Sequence, residues 1–386
     1  MRILLTAAPM YGHVLPLVPI SWALRSAGHE VLLAAPGEFP DVAAGAGLPA
    51  TANAGGVSMG GMIGFERDGT PAARPADPEG RVRRSGRGFG RLAAHVLERT
   101  VRIAERWRPD LVVSEPTEYA GRLVAAHLGL PWVEHGWGLR LSGLYAEAAE
   151  QELAPELAAL GLPGLPAPRL LLDPCPPRLQ LPGVPAAPVR RVRYLPYNGP
   201  APVPSWVHRP RERPRVCVTL GSAFPAVRSE LLAALPEALH GAGVETVLAT
   251  GEGTAAGPLP ESVRAVGWLP LDTVLPACDL VVHHGGPGTA MTSLVHGLPQ
   301  LVLPYYLSDT TVYAQRLAEL GAGRWLPPER ADAAGVADGV RALLADRGAR
   351  GAAAGLAEEI AGLPSPAEAV PVLEDVVRKE RAACVR

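Results

Sequence analysis

Asp279-Leu-Val-Val-His-His-Gly-Gly-Pro-Gly-Thr289 is the stretch that decides the fold, and Gly297-Leu-Pro-Gln-Leu-Val-Leu-Pro304 follows it. Its β-forming residues predict a strand, its glycines a tight turn, and the apolar spacing after them a helix. Glycines let a ligand approach the backbone closely, and the N–H groups at a helix start suit an anion such as phosphate. An ordinary strand-to-helix turn would also explain the glycines, but the adjacent His283 and His284 weigh against it.

Length and composition predict a globular protein of two domains. The chain has 386 residues, of which 48% are hydrophobic and 19% charged, so it can bury two cores. A formal charge of −2 offers no footprint for nucleic acid or an anionic membrane, and neither is expected as a partner. Lys379, the single lysine, lies far from any glycine turn, which excludes a Walker-type loop and a lysine Schiff base.

The cysteines and the N-terminus favour a soluble, cytoplasmic protein. Cys175, Cys217, Cys278 and Cys384 form no close-spaced pair, so neither a zinc site nor a disulfide framework is predicted. Residues 1–8 are typical of a first strand rather than a signal peptide. No apolar run reaches the roughly 20 residues that span a bilayer.

The N-terminal half opens with a β-α-β pattern over residues 2–34, without the glycine fingerprint of nicotinamide or flavin enzymes. His13 follows the first strand, at the edge of the sheet where ligands bind in open α/β folds. It is either a general base or a cap of the next helix. Glu115 ends another buried-type strand, so the same edge is predicted for it, where it either orients His13 or caps a helix in solvent.

Three residues near another strand end, Glu134, His135 and Trp137, are candidates for lining a pocket for a flat organic molecule, although tryptophan more commonly serves packing. Residues 53–90 are rich in glycine, proline and arginine, which predicts a long binding loop or disorder. Prolines crowd residues 162–214, which predicts a semi-rigid linker and a domain boundary near residue 210.

A second domain repeats the strand-helix pattern after this linker. It begins with a strand at residues 215–220 and the turn Gly221-Ser222, where Ser222 is a candidate donor to a phosphate oxygen. Trp268 precedes a short helix, and the opening stretch follows. Two such domains predict an α/β protein with a cleft between the carboxyl edges of its two sheets.

Taken together, these residues resemble the nucleotide-sugar-dependent glycosyltransferases with the two-domain GT-B fold. More narrowly, the chain is similar to the actinomycete enzymes that attach deoxysugars to polyketide and macrolide antibiotics. The motifs that carry this resemblance are Gly12-His13, Gly267-Trp268, His284-x-Gly-x-Gly-Thr289, Gly297-x-Pro-Gln300 and Pro304 to Asp309.

The resemblance implies two Rossmann-like domains facing across a cleft. Residues 1–209 would bind the acceptor, and residues 210–365 would bind the nucleotide sugar. A C-terminal helix at residues 366–386 would cross back and pack on the first domain.

Roles for single residues are implied as well. His13 would remove the proton of the acceptor, and Glu115 stands where the family usually has an aspartate that supports this base. Trp268 would stack on the pyrimidine and Asp309 would contact sugar hydroxyls. The diphosphate would be held by residues of the strand-helix turn, namely His284, Gly286, Gly288 and Thr289.

Three departures from the family pattern favour a dTDP-deoxysugar over a UDP-sugar. Members that use UDP-sugars often have glutamine at the position of Leu271 and glutamate at that of Thr292, and both serve the ribose hydroxyls. Leu271 cannot hydrogen-bond and Thr292 is short, which suits a deoxyribose. Thr310 stands in place of a frequent glutamine, which fits a sugar with fewer hydroxyls.

The implied reaction is an inverting displacement with the dTDP-sugar as co-substrate and no cofactor. No Asp-x-Asp pair occurs to hold a metal, and a helix N-terminus with His284 can stabilise the leaving diphosphate. The acceptor would be an aromatic or macrocyclic aglycone, glycosylated at oxygen or carbon. Two alternatives stay open: a GT-B enzyme of another class, such as a sugar-nucleotide epimerase, and a silent auxiliary protein that binds nucleotide or polyketide. A homodimer is one option for the oligomeric state.

Overall fold

Short apolar runs form the strands of two parallel sheets, because strands covered by helices on both faces are apolar along their length. The computed structural model describes residues 1–183, 185, 187–221, 229–250, 259–304 and 308–384. It divides into two units. The first comprises Met1–Cys175, Leu181–Arg193 and Leu363–Arg386, and the second comprises Pro176–Gln180 and Tyr194–Gly362.

In the described part of the chain, the first unit is built on a sheet of 7 parallel strands. These are β1 (Arg2–Thr6), β2 (Glu30–Pro36), β3 (Ala50–Ala54), β4 (Leu111–Ser114), β5 (Trp132–His135), β6 (Leu170–Asp173) and β7 (Val189–Arg191). They pair in the order β3-β2-β1-β4-β5-β6-β7. The helices between them are α1 (Tyr11–Val14), α2 (Val18–Ser26), α3 (Phe39–Gly45), α4 (Met59–Gly64), α5 (Pro78–Trp107), α6 (Tyr119–His127), α7 (Leu144–Glu152) and α8 (Ala154–Ala159).

Strands β1 and β4 are neighbours although they lie far apart in sequence. Thr6, the last residue of β1, pairs in register with Ser114, the last residue of β4. The chain therefore leaves both strands at the same edge of the sheet. This neighbourhood is where residues that follow two different strands meet, as ligand-binding groups do in open parallel sheets.

The second unit repeats this plan with a sheet of 6 parallel strands among the residues described. These are β8 (Arg215–Thr219), β9 (Glu245–Ala249), β10 (Val263–Gly267), β11 (Leu280–His283), β12 (Gln300–Val302) and β13 (Gly323–Trp325). They pair in the order β10-β9-β8-β11-β12-β13. The accompanying helices are α9 (Ser229–Gly241), α10 (Leu271–Val274), α11 (Pro287–Val295), α12 (Ser308–Glu319), α13 (Ala333–Ala345) and α14 (Arg347–Ala361).

The last helix, α15 (Pro366–Cys384), belongs to the first unit although it follows the second in sequence. Leu373 and Val377 are buried in this packing. On the rim, Glu374 Oε1 lies 3.0 Å from His29 Nε2, and Arg381 pairs with Asp110. Because the ion pair of Arg381 is exposed and contributes little, burial of the apolar face stabilises the return of the helix. The predicted crossing of the C-terminal helix to the first domain is confirmed.

The prediction of a long loop at residues 53–90 is wrong. Helix α5 starts inside this stretch, where the side chain of Asp77 caps it by accepting the Gly80 N–H at 2.7 Å. Glycines within α5 that suggested a loop serve close packing instead. A Cβ on Gly86 would lie 2.5 Å from the carbonyl oxygen of Tyr145 in α7. Glycine therefore permits two helices to approach, which a local pattern cannot reveal.

Replacing Gly86 by alanine tests this close approach. The added Cβ would have to displace backbone of α7, so we expect a loss of about 1–3 kcal/mol in the free energy of unfolding. The measurement is denaturant unfolding followed by tryptophan fluorescence. Gly60→Ala in α4 of the same unit is the matched control, since a Cβ there meets nothing within 4 Å. Equal behaviour of the two variants would contradict the packing role.

Residues 162–214 are only partly a linker. Strands β6 and β7 lie within them, and the main segment of the second unit starts at Tyr194 rather than near residue 210. Two contacts explain the earlier start: Asn198 Oδ1 accepts the Asp272 N–H at 3.0 Å, and the Arg215 guanidinium lies 4.9 Å from the centre of the Trp206 ring. The acceptor and donor roles of the two domains stay predictions.

Among the described residues, no helix combines the length and the apolar character needed to cross a bilayer.

Candidate active site

His13 lies on α1, directly after β1, and its ring reaches the residue that follows β4. Its Nδ1 is 2.9 Å from Glu115 Oε1. The His13 side chain is 12% exposed and that of Glu115 only 1%, so the imidazole sits between a buried carboxylate and the surface. The structure thus brings together the two residues predicted at this edge, and it places Glu115 in the interior rather than in solvent.

Donors surround the carboxylate of Glu115. Oε1 accepts the Ala8 N–H at 3.1 Å, and Oε2 accepts the Thr117 N–H at 2.7 Å. Burial alone would raise the pKa of Glu115, but the charge and hydrogen bond of His13 together with these two amides hold it below its ordinary value. Glu115 is therefore ionised at neutral pH. An ionised Glu115 accepts a hydrogen bond from the Nδ1–H of His13, which leaves the Nε2 lone pair of the imidazole to act as a base.

Two aromatic rings pack against the His13 imidazole. The Trp137 ring stands edge-on, with its centroid 4.2 Å from that of His13, and the Phe89 ring is stacked at 5.7 Å. Such packing limits rotation of the imidazole and keeps Nδ1 directed at Glu115. Trp137 was predicted at the site, whereas Phe89 lies on α5, in the stretch interpreted as a loop.

The other two candidates for acceptor binding have other partners. Glu134 Oε2 is 3.4 Å from Arg122 Nη2, whose guanidinium lies 4.3 Å from the centre of the Trp132 ring. His135 is buried in β5, and burial lowers its pKa to about 4, so its ring is neutral. Their acceptor-binding role stays a prediction.

Glu118 is a second buried carboxyl beside the site, and the sequence pattern did not point to it. It caps α6 by accepting the N–H groups of Ala120 at 3.1 Å and Gly121 at 2.8 Å. Its Oε2 is also 2.5 Å from Thr6 Oγ1. Burial is the largest influence on this carboxyl and raises its pKa to about 7. Glu118 therefore holds a proton at pH values where an exposed glutamate has lost it.

This raised pKa predicts a pH dependence of stability. Between pH 4.5, the ordinary value, and about 7, the folded chain binds one more proton at Glu118 than the unfolded chain. The stabilisation is fully present below the lower value and is lost as pH rises through the upper one, by about 3 kcal/mol in total. We expect Glu118→Gln to lack this decline when unfolding free energies are measured from pH 4.5 to 8. Parallel profiles for wild type and variant would contradict the assignment.

In the second unit, His284 lies at the carboxyl edge of the sheet, in the turn between β11 and α11. Its ring packs against the backbone of Gly221, which follows β8, and Gly286, where a Cβ would lie 2.5 Å from Nε2. The turn thus places the imidazole beside the ends of two neighbouring strands. Ser222, the predicted phosphate donor, lies outside the described residues.

The first turn of α11 follows this histidine. Gly286 is the N-cap residue, and no side chain caps the helix. Gly288 and Thr289 lie in this first turn, where backbone N–H groups and the helix dipole favour an anion. Asp309 lies in the first turn of α12 and is half-buried. The predicted diphosphate residues therefore come together on one short segment.

Trp268 follows β10 and is 40% exposed. One side of its indole packs against the backbone of Gly199. A large aromatic ring left open at a sheet edge is suited to stacking on a flat heterocycle.

The polar group of Thr292 is used inside the protein. Thr292 is wholly buried, and its Oγ1 donates to the Gly288 carbonyl at 2.7 Å and accepts from Asn198 Nδ2 at 3.3 Å. Leu271 is buried as well. Neither residue offers a hydrogen-bonding group to a ligand. Asn198, which hydrogen-bonds to Thr292, was not predicted from the sequence because it lies in the proline-rich stretch.

No cluster of three or more His, Cys, Asp or Glu side chains suited to a metal ion occurs within the described part of the chain.

Family models match both halves of the chain. The N-terminal domain of the family described as erythromycin biosynthesis protein CIII-like matches residues 22–221, and its C-terminal domain matches residues 231–376. L-demethylnoviosyl transferase of Streptomyces niveus is 39% identical over 374 residues, which cover 95% of this chain and 96% of the relative.

Two solved structures are similar to this chain over nearly its whole length. The Streptomyces sp. SF2575 glycosyltransferase SsfS6, complexed with thymidine diphosphate, has a TM-score of 0.89 at 40% identity, covering 97% of this chain and 99% of that chain. The spinosyn rhamnosyltransferase SpnG, complexed with spinosyn aglycone, has a TM-score of 0.84 at 36% identity, covering 97% and 100%.

Proposed function

The chain belongs to the erythromycin biosynthesis protein CIII-like family of glycosyltransferases, and from this premise we propose that it moves a deoxysugar from a dTDP-sugar to a polyketide-type or other natural-product aglycone. The observation that carries the proposal is the pair formed by His13 and the buried Glu115, with 2.9 Å between Nδ1 and Oε1. An imidazole whose Nδ1 is held by a carboxylate can take the proton of an alcohol or phenol at its Nε2.

The proposed reaction is a single displacement with inversion. His13 Nε2 takes the proton of the acceptor hydroxyl, or of an activated ring carbon, while that atom attacks the anomeric carbon of the sugar. The bond from the anomeric carbon to the diphosphate oxygen breaks, and dTDP leaves with the electron pair. One displacement at one carbon inverts its configuration.

The leaving diphosphate would be stabilised without a metal. The backbone N–H groups at the start of α11 and the imidazole of His284 supply donors and positive potential where negative charge develops. Asp309 would accept hydrogen bonds from the sugar hydroxyls. This proposal is supported by the positions of these residues at the starts of α11 and α12, two helices that each follow a strand of the second sheet.

The proposed preference for dTDP is supported by Thr292 and Leu271. The hydroxyl of Thr292 is taken up by Gly288 and Asn198, and Leu271 has no polar group, so a ribose 2′-hydroxyl would find no partner at either residue. An unsatisfied buried hydroxyl is costly, and 2′-deoxyribose avoids that cost. The bound thymidine diphosphate of SsfS6 is a nucleotide of this type.

The experiment is incubation of the protein with dTDP-deoxysugars and a panel of aromatic and macrocyclic aglycones, with EDTA present, followed by measurement of released dTDP and mass of the product. Aglycone-dependent release of dTDP and gain of one sugar mass are expected. The anomeric configuration, read from the coupling constant by NMR, tests inversion. Release that needs added metal, or none with any pair, would contradict the corresponding part of the proposal.

Trp268→Ala is expected to weaken binding of both dTDP and thymidine by roughly 5- to 150-fold, because stacking on an aromatic ring contributes about 1–3 kcal/mol per base. Isothermal titration calorimetry measures both ligands. Trp22→Ala is the matched control, since Trp22 is also 40% exposed but lies on α2 of the first unit. Unchanged nucleotide affinity in Trp268→Ala would remove the indole from base recognition.

A further inference from the structure

His283, the first of the two adjacent histidines, has no role in the reaction described so far. Unlike its neighbour, it is wholly buried at the end of β11, where it pairs in register with Thr219 on one side and Val302 on the other. A polar side chain in such a place must find partners for both ring nitrogens. Its partners reveal what it does.

The hydrogen bonds of His283 define its tautomer. The Gly285 N–H donates to Nδ1 at 3.1 Å, so Nδ1 carries no proton. Nε2 must then carry it, and it donates to Gln300 Oε1 at 2.7 Å. Burial is consistent with this neutral form, since it lowers the pKa of His283 to about 4.

The hydrogen bonds from Gly285 through His283 to Gln300 form a relay, which continues beyond Gln300. The Tyr313 hydroxyl donates to the same Gln300 Oε1 at 2.8 Å, and Gln300 Nε2 donates to the Ala290 carbonyl in α11 at 3.3 Å. Tyr313 lies one helical turn after Asp309 on α12, so the two share a face of that helix. The relay therefore joins the turn after β11, helix α11 and the helix that carries the proposed sugar contact.

The turn after β11, whose Gly285 N–H donates to His283, is also restricted by its own backbone conformation and by close neighbours. Gly285 has φ of +93°, and a Cβ there would lie 3.0 Å from the Thr310 Cβ and 3.2 Å from Val302 Cγ1. Its N–H points back to His283, and the next two positions begin α11. A change at His283 Nδ1 thus acts on the backbone that leads directly into the proposed diphosphate-binding turn.

We propose that His283 is a positioning residue for the diphosphate, acting through the Gly285 N–H to set the backbone of the turn that carries His284 and the start of α11. The inference rests on the proposed function of that turn. The relay through Gln300 and Tyr313 keeps the imidazole in the one tautomer that can accept the Gly285 N–H. Affinity for the diphosphate then depends on the Nδ1 acceptor, while affinity for the nucleoside does not.

Two substitutions test the roles of the two ring nitrogens of His283 separately. In His283→Asn the side-chain oxygen can take the place of Nδ1 and accept the Gly285 N–H. In His283→Gln the amide can reach the place of Nε2 and donate to Gln300, but no acceptor remains for Gly285. His240→Asn is the matched control: His240 Nδ1 is 3.1 Å from Ser262 Oγ, which precedes β10 at the opposite edge of the same sheet.

Calorimetry with dTDP and with thymidine, and ¹⁵N-histidine NMR on the full chain, test the proposal. We expect His283→Gln to bind dTDP roughly 5- to 150-fold more weakly with unchanged affinity for thymidine, since a buried N–H has lost its acceptor. His283→Asn should recover most of the dTDP affinity, and the spectrum should show the Nε2–H tautomer for His283.

Equal losses in the two variants, equal losses for dTDP and thymidine, or the opposite tautomer would overturn the positioning role. A wild-type protein that binds no dTDP would overturn the proposed function itself, and this inference with it. The two failures are distinguishable because the first appears only in the variants.

Discussion

Replacement of His13 by alanine is expected to lower kcat by roughly 10²–10⁴-fold while leaving dTDP affinity unchanged. A positioned base supplies about this much of the rate, because the acceptor hydroxyl is otherwise a poor nucleophile at neutral pH. The residue belongs to the first unit, whereas the proposed nucleotide contacts all belong to the second. Steady-state dTDP release measures kcat, and calorimetry measures binding.

The control for this prediction is His95→Ala. His95 is an exposed histidine on α5 in the same unit, and its removal should leave turnover within about twofold. Near-full turnover in His13→Ala would remove His13 from the mechanism. A loss of dTDP binding equal to the loss of turnover would point to a misfolded protein rather than to a missing base.

The predicted meeting of His13 and Glu115 rested on an argument about strands and not about residues close in sequence. Each follows an apolar strand, and parallel strands end at the same edge of a sheet. Because β1 and β4 are neighbouring strands, the two residues that follow them are close enough to be in contact. The GT-B fold class, recognised from its motifs, is confirmed by the family models and the similar structures.

Residues that the sequence did not point to act through tertiary contacts. Phe89 reaches His13 from a helix whose glycines suggested a loop, because a glycine that permits close helix packing has the same local signature as one that breaks a helix. Asn198 lies among prolines that mark a linker, yet it ties that linker to α10 and α11. The roles of Phe89 and Asn198 both depend on contacts with distant segments of the chain. A local sequence pattern does not show such contacts.

Glu118 and His283 show a different limit. Both residues lie close in sequence to residues that were predicted at the site, but the role of each depends on its burial in the fold. An exposed glutamate at that position would be an ordinary helix cap, and an exposed second histidine would be free to titrate near neutral pH. Burial raises the pKa of Glu118 and lowers the pKa of His283.

Glu115→Gln is expected to lower kcat by as much as about 10⁴-fold although it changes few atoms. The backbone partners of both carboxylate oxygens are donors, and the Thr117 hydroxyl lies 3.0 Å from Oε2. The new NH₂ group must therefore face either the side of Thr117 or the side shared by Ala8 and His13. In the second arrangement the amide donates to Nδ1, which forces the proton onto Nε2 and removes the lone pair that the reaction needs. Glu115→Asp keeps the charge, so it should retain more activity than Glu115→Gln.

A double-mutant cycle decides whether Glu115 acts through His13. If the carboxylate serves only to orient and charge-stabilise the imidazole, then Glu115→Gln should cost little further rate in a protein that already lacks His13. Glu118→Gln controls for loss of a nearby buried carboxyl, and all variants should bind dTDP as the wild type does. Losses that multiply in the double variant would mean that Glu115 contributes independently of the base, and the dyad would have to be abandoned.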